Sequence, residues 1–224
     1  MYRKSRKVSP VTITDLDFAD DIALLSDTVA QSQEMLVAVE VECKRVGLML
    51  NSKKTKVMTL NTDTPPCIKT IDGSILEVTD DFQYLGGWMK SSEKDISVRR
   101  ALAWKSLHGM KRVWRSNLSD NIKRRLFVAT VESVLLYGCE TWTMTSTMER
   151  SMDGCYTRML RMALNVSWKE HITNSQLYRK MERVSTKIKT RRLRMAGHCV
   201  RHPELAVNPL VLWEPTHGRA IRGR

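Results

Sequence analysis

Apolar and polar residues alternate on both sides of an acidic pair near the start of the chain. Ile13, Leu16 and Phe18 precede Asp20-Asp21, and Ile22, Leu24 and Leu25 follow. Residues 11–25 are therefore read as an antiparallel hairpin whose buried strands carry the two carboxylates at the tip. The period then lengthens. Val29, Leu36, Val39, Cys43 and Val46 recur at helical spacing behind an N-cap at Ser26-Asp27, and Gly47 ends the run. This predicts one amphipathic helix packed on the sheet. Leu48-Met49-Leu50, a turn at Asn51-Ser52 and the basic run Lys53-Lys54-Thr55-Lys56 lead to a strand through Val57–Leu60, with Pro65-Pro66 marking a connection. Ile68–Ile71 and Ser74–Val78 flank Asp72-Gly73, whose tolerance of positive φ predicts a type I′ hairpin. Phe82-Gln83-Tyr84-Leu85-Gly86-Gly87 reads as a final strand, so residues 11–90 have α+β order.

Beyond residue 94 the period changes from two to 3.6, predicting helices at about 95–114, 119–137, 147–164, 174–182 and 184–202. Ser119 is an expected N-cap, Gly138 an expected stop, and Ser146-x-x-Glu149 an expected capping box. Residues 203–224, with Pro203, Pro209, Pro215, Gly218 and Gly223 among basic residues, are expected to be extended or mobile. The resulting division is a basic segment at 1–10, a sheet-bearing part at 11–90, a helical part at 91–202 and a basic tail at 203–224.

Charge sharpens that division. Lys and Arg number 37 against 24 Asp and Glu, a net +13. Residues 1–90 hold 11 basic and 13 acidic side chains and residues 91–224 hold 26 and 11, so a net −2 is followed by a net +15. Such asymmetry predicts that the second part meets a polyanion, most simply nucleic acid, through phosphate contacts that release counterions. Arg99, Arg100, Lys105, Lys111, Arg112, Arg115, Lys123, Arg124 and Arg125 recur through two helices, and Lys187, Lys189, Arg191, Arg192, Arg194 and Arg201 through another, interleaved with Trp104, Trp114 and Trp168. The charges are read as phosphate ligands, and Trp104 and Trp114 as core anchors. The chain has no apolar run of about 20 residues, so no membrane span is expected, nor does the basic N-terminus lead into an export signal.

Five cysteines, Cys43, Cys67, Cys139, Cys155 and Cys199, include no C-x-x-C pair, which favours reduced thiols in an intracellular compartment. Cys139, Cys155, His198, Cys199 and His202 are the residues from which a zinc site could be assembled, although buried thiols and helix-end imidazoles fit the spacing better. Asp20 and Asp21 carry the clearer chemistry. Adjacent carboxylates at a strand-turn-strand tip repel one another unless a cation neutralises them, and paired Mg²⁺ ions do so in phosphoryl transfer.

Phe18-Ala19-Asp20-Asp21 resembles motif C of reverse transcriptases, the F/Y-x-D-D box of the palm domain. Gly47-Leu48-Met49-Leu50-Asn51-Ser52-Lys53-Lys54-Thr55-Lys56 resembles motif D, and Phe82-Gln83-Tyr84-Leu85-Gly86 the primer-grip strand, in the family's order. Leu136-Tyr137-Gly138-Cys139-Glu140-Thr141-Trp142 and Arg192-Leu193-Arg194-Met195-Ala196-Gly197-His198 resemble segments in or after the thumb of non-LTR, LINE-like elements. The resemblance implies the C-terminal part of a palm followed by a helical thumb and post-thumb region. It implies that Asp20 binds Mg²⁺ and Asp21 is a less direct ligand, and that Lys54 lies near the triphosphate and can protonate pyrophosphate, with Lys53 or Lys56 as substitutes. Tyr84, Leu85 and Gly86 would hold the primer end. RNA template, DNA primer and dNTPs are the implied partners, and the nucleus the implied site of action. One family element is missing: the Asp of motif A lies on an earlier palm strand, and only 17 residues precede Phe18. Asp15 and Asp17 belong to the hairpin itself. The expectation is a fragment of an RNA-directed DNA polymerase, inactive alone; the rival is a catalytically dead, basic nucleic-acid-binding remnant of a truncated element.

Overall fold

The computed structural model of the chain describes residues 13–60, 66–202 and 204. The predicted hairpin residues 11–12, Pro65, the basic segment 1–10 and nearly all of the tail 203–224 lie outside the described residues. The chain divides between Lys90 and Ser91 into two compact units.

The first unit is α+β. β1 (Asp15–Phe18) and β2 (Asp21–Leu24) pair antiparallel with Phe18 opposite Asp21, leaving Ala19-Asp20 as a two-residue turn. α1 (Val29–Arg45) follows. Its N-cap is Thr28 rather than Ser26-Asp27, because the Thr28 hydroxyl accepts from Gln31 N at 3.2 Å. Its end matches the expected glycine stop. Leu48 N donates to Cys43 O and Gly47 N to Lys44 O, a Schellman closure that needs the positive φ of Gly47. β3 (Lys56–Met58) pairs with β4 (Glu77–Thr79), and β5 (Gln83–Tyr84) with β6 (Gly87–Trp88).

Several local expectations change. The strands make three separate two-stranded sheets, and β3–β4 is parallel. The Asp72-Gly73 hairpin is not type I′. Gly73 N donates to Thr70 O and Thr70 N to Ser74 O, with positive φ at Gly73 alone, which is a three-residue loop with a bulge. The Asp72 carboxylate braces that loop by accepting from Ser74 N and the Thr70 hydroxyl, and these bonds hold its pKa below the ordinary value. The expected final strand is instead a tight hairpin turning at Leu85-Gly86, both with positive φ.

The core of this unit is small, built on Leu36, Ile68 and Leu76 with Leu50 and Val57 against it. Polar side chains extend it. Gln33 donates to Lys69 O at 2.7 Å and accepts from Lys69 N at 2.8 Å, imitating a neighbouring strand, and buried Glu40 accepts from Ile71 N at 2.8 Å. The expected burial of the first hairpin is absent. β1 is exposed throughout, with Phe18 64% exposed, because two short strands without a covering layer have no interior.

The second unit is helical: α2 (Ser92–Gly109), α3 (Lys111–Trp114), α4 (Asp120–Phe127), a π turn (Val128–Glu132), α5 (Ser133–Leu135), α6 (Ser146–Ala163), α7 (Asn174–Tyr178) and α8 (Val184–Arg201). Short 3₁₀ turns lie at Cys139–Thr141 and Trp168–Glu170. Ser119 precedes α4 as expected, whereas α6 is capped by Thr145, whose hydroxyl accepts from Met148 N, one residue before the expected box. Phe127, Val131, Leu135, Leu136, Trp142, Met152, Tyr156, Leu160 and Ile188 meet in one core. Trp114 is a core anchor, its indole donating to Leu107 O at 2.8 Å, while Trp104 is half-buried and stacks on His108.

Charged groups are built into this core. Trp142 donates to Asp95 Oδ2 at 2.6 Å, and Tyr156 and Lys187 both donate to buried Glu132, the lysine at 2.7 Å. Asp153 caps α8, accepting from Ser185 N and Oγ at 3.0 and 2.9 Å. Burial, then the charge of Glu140, pushes the Cys139 thiol from 9.0 up to about 11. A raised thiol pKa contributes stability that is full below the unfolded value and lost as pH rises through the folded one. The urea midpoint followed by circular dichroism is therefore expected to fall between pH 9 and 11. Burial raises Tyr156 as well, so Cys139→Ala should flatten that decline without removing it; an unchanged slope would show that the thiol does not contribute.

Candidate functional site

The β1–β2 hairpin places Asp20 in its turn and Asp21 as the first residue of the returning strand, both exposed. Ala19 holds φ +56, unfavourable for a residue with a Cβ and the conformation a two-residue hairpin turn requires at its first position. Neither carboxylate has an ion-pair partner among the described residues. Two like charges one residue apart thus stand at an open tip with their oxygens available to a hard cation. Among the described residues no three His, Cys, Asp or Glu side chains are grouped so that they could hold a metal ion.

Of the residues expected to hold the primer end, Tyr84 lies against this hairpin. The Tyr84 hydroxyl donates to Leu16 O at 3.1 Å, tying β5 to β1, and the Leu85-Gly86 turn follows directly. The lysines of the run that resembles motif D stand on a different turn. Asn51 O accepts from Lys54 N at 3.0 Å and from Thr55 N at 2.9 Å, and the Asn51 side chain also accepts from Lys54 N. Lys53 and Lys54 are left exposed on that frame, whereas Lys56 is paired with Glu77 and half-buried. Ser52, Lys53, Lys56, Ile75 and Glu77 line a cleft of about 250 Å³ beside the turn. No hydrogen bond or ion pair among the described residues joins Lys54 to Asp20 or Asp21.

Several of the expected phosphate ligands have other work. Arg99 is 8% exposed, runs beside Asp95 at 3.8 Å and lies over the Tyr137 ring at 4.2 Å. Lys123 is 7% exposed. Arg124 is half-buried against Met181, and burial lowers its pKa. Arg191 donates to Leu136 O at 3.2 Å and faces Glu140, and Arg100 donates to the Ser151 hydroxyl. The sequence periodicity shows that these residues share helices, but not which way each points. Lys111, Arg112, Arg125, Arg192 and Arg194 are exposed, as required of phosphate ligands. The zinc candidates do not assemble. Cys139, Cys155 and Cys199 are buried, and His198 and His202 face one another at 4.4 Å between ring centroids.

Residues 2–89 match the family model described as reverse transcriptase (RNA-dependent DNA polymerase). An uncharacterized transposon-derived protein of Caenorhabditis elegans is 27% identical over 234 residues, covering 97% of this chain and 83% of that protein. No solved structure matches the chain. Residues 2–89 are thus similar to reverse transcriptases, and the chain as a whole is similar to a transposon-derived protein. Among the described residues no helix is long and apolar enough to cross a membrane.

Proposed function

We propose that this chain is the C-terminal part of the RNA-directed DNA polymerase of a non-LTR retrotransposon, with residues 11–90 as partial palm and 91–202 as thumb and post-thumb. The observation that carries the reading is the exposed Asp20-Asp21 tip on a tight hairpin, inside the segment that matches the reverse transcriptase model, with Tyr84 bonded to Leu16 O of the same hairpin. The open apolar faces of the hairpin support it further, since Leu16, Phe18 and Ile22 are suited to burial beneath upstream palm strands.

In this reading Asp20 would hold a Mg²⁺ ion and Asp21 would be a second, less direct ligand. Bound Mg²⁺ supplies charge neutralisation of the transferring phosphoryl group. Tyr84 keeps the Leu85-Gly86 turn against β1, so that the primer end meets the carboxylates in a fixed orientation. Lys54, exposed on its Asn51 turn, donates a proton to pyrophosphate as it leaves. The third carboxylate of the cage is not among the described residues, and the test is to supply it by fusion to an upstream half.

The helical unit grips primer–template duplex through exposed Lys111, Arg112, Arg125, Arg192 and Arg194. Binding measured by anisotropy is expected to weaken steeply with salt. Arg192→Glu with Arg194→Glu should lower affinity alike for all sequences and reduce the slope of log affinity against log salt by about one per lost phosphate contact. Arg191→Glu should mainly lower stability, because its guanidinium holds Leu136 O. Salt-independent binding would remove phosphate contact as its basis.

A further inference from the structure

The eight residues from Asn165 to Ile172 are fixed more firmly than a connection between two helices requires. α6 ends in a Schellman closure, Val166 N donating to Arg161 O at 2.9 Å and Asn165 N to Met162 O at 3.1 Å, with Asn165 at φ +55. A reciprocal capping box between Ser167 and Glu170 starts the 3₁₀ turn, and His171 at φ +49 ends it. Arg161 then clasps the far side, donating to Ile172 O at 2.6 Å and to Asn174 Oδ1 at 3.0 Å.

What this frame displays is Trp168, 79% exposed, with Lys169 Nζ 5.9 Å from the ring centroid. An indole contributes most to folding when it is buried, as Trp114 and Trp142 are. Beside the loop lies a cleft of about 330 Å³, lined among others by Lys111, Arg115, Arg161, Asn165, Ser167 and Glu170. The Glu170 carboxylate accepts from Ser167 N at 2.9 Å, so it is committed to the cap, while Lys111 and Arg115 stand exposed at the rim. An exposed indole with a lysine over its ring, on a loop whose residues on either side, Ser167 and Glu170, line a cleft shared with Lys111 and Arg115, complements a nucleobase and its phosphates.

We propose that Trp168 and this cleft form a stacking site for an unpaired nucleotide of single-stranded nucleic acid, the base lying on the indole and the flanking phosphates meeting Lys111, Arg115 and Lys169. This shares with the proposed function the reading of the helical unit as nucleic-acid-binding, but not the chemistry at Asp20 and Asp21. The indole serves an unpaired strand rather than the duplex, while Lys111 is shared with the duplex grip.

The full 224-residue chain is titrated with a labelled twelve-nucleotide oligo-dT or oligo-U and, separately, with a blunt duplex of equal length, reading anisotropy and indole quenching. Trp168→Ala is expected to weaken oligonucleotide binding roughly tenfold, as loss of one stacked base does, to remove most of the quenching and to leave duplex affinity unchanged. Trp168→Phe should retain most of the affinity, and Lys111→Glu with Arg115→Glu should lower both affinity and salt slope. Unchanged oligonucleotide binding by Trp168→Ala, or equal loss for oligonucleotide and duplex, overturns the proposal. So does displacement by polyglutamate as effective as by unlabelled oligonucleotide, which would mark an acidic-protein site. If oligonucleotide binding depends on Trp168 while duplex binding is absent, the duplex reading fails and this site stands.

Discussion

The purified 224-residue chain is expected to incorporate no dNTP under Mg²⁺ or Mn²⁺, and its fusion behind an upstream fingers-and-palm half of a related element is expected to restore primer extension. Both expectations follow from the geometry of the carboxylates. In-line phosphoryl transfer requires metal ligands from more than one strand, and Asp20 and Asp21 occupy a single hairpin with no third ligand converging on them among the described residues. In the active fusion, Asp20→Asn should lower the rate by about a thousandfold or more, since metal charge stabilisation is worth several kcal/mol and each 1.36 kcal/mol is tenfold. Lys54→Ala should slow the reaction by roughly a hundredfold, at the low end for loss of a general acid, with little effect on nucleotide binding. Asp21→Asn should fall between the two. Primer extension by the unfused chain would show a complete site, and activity surviving Asp20→Asn in the fusion would refute its metal role.

Glu132→Ala is expected to be the most destabilising single change in the helical unit. Its carboxylate accepts from Lys187 Nζ at 2.7 Å and from the Tyr156 hydroxyl, and Lys187 also lies 5.6 Å above the Tyr156 ring. Removing the acid strands a largely buried ammonium and a buried hydroxyl, at a cost of about 3–5 kcal/mol. For a domain of this size that lowers the thermal midpoint by about 12 °C or more. Replacing the whole group, as Glu132→Leu with Lys187→Met and Tyr156→Phe, should return the midpoint close to that of the unchanged chain, because no charge is then left without a partner. Circular dichroism melts of the single and triple variants check both statements. A Glu132→Ala midpoint within a few degrees of the parent would mean that the buried pair adds nothing to stability.

Residues close in the chain made much of this protein legible in advance. The Asp20-Asp21 hairpin, the helix stopped by Gly47, the change of period after residue 94 and the near positions of α2, α6 and α8 all follow from spacing and turn chemistry. Propensity and hydrophobic period act over a few residues, so they survive without knowledge of the neighbours. Side-chain direction was not legible. Arg99 and Arg192 are alike as sequence, yet Arg99 lies in the core between Asp95 and Tyr137 and Arg192 is exposed, because burial depends on the elements packed around each helix. Strand partners also came only from the tertiary structure. β3 finds β4 in parallel across eighteen intervening residues, and β5 turns back on β6 at Leu85-Gly86, pairings that a period of two cannot specify. The most distant associations gave no local signal. Glu132, Tyr156 and Lys187 come from three separate helical segments, and Trp168 stands exposed because Asn165, Ser167, Glu170 and Arg161 together brace one short loop. Each of these contacts lowers the free energy only once the others are in place, so the assembled fold, and not any stretch of chain, determines them.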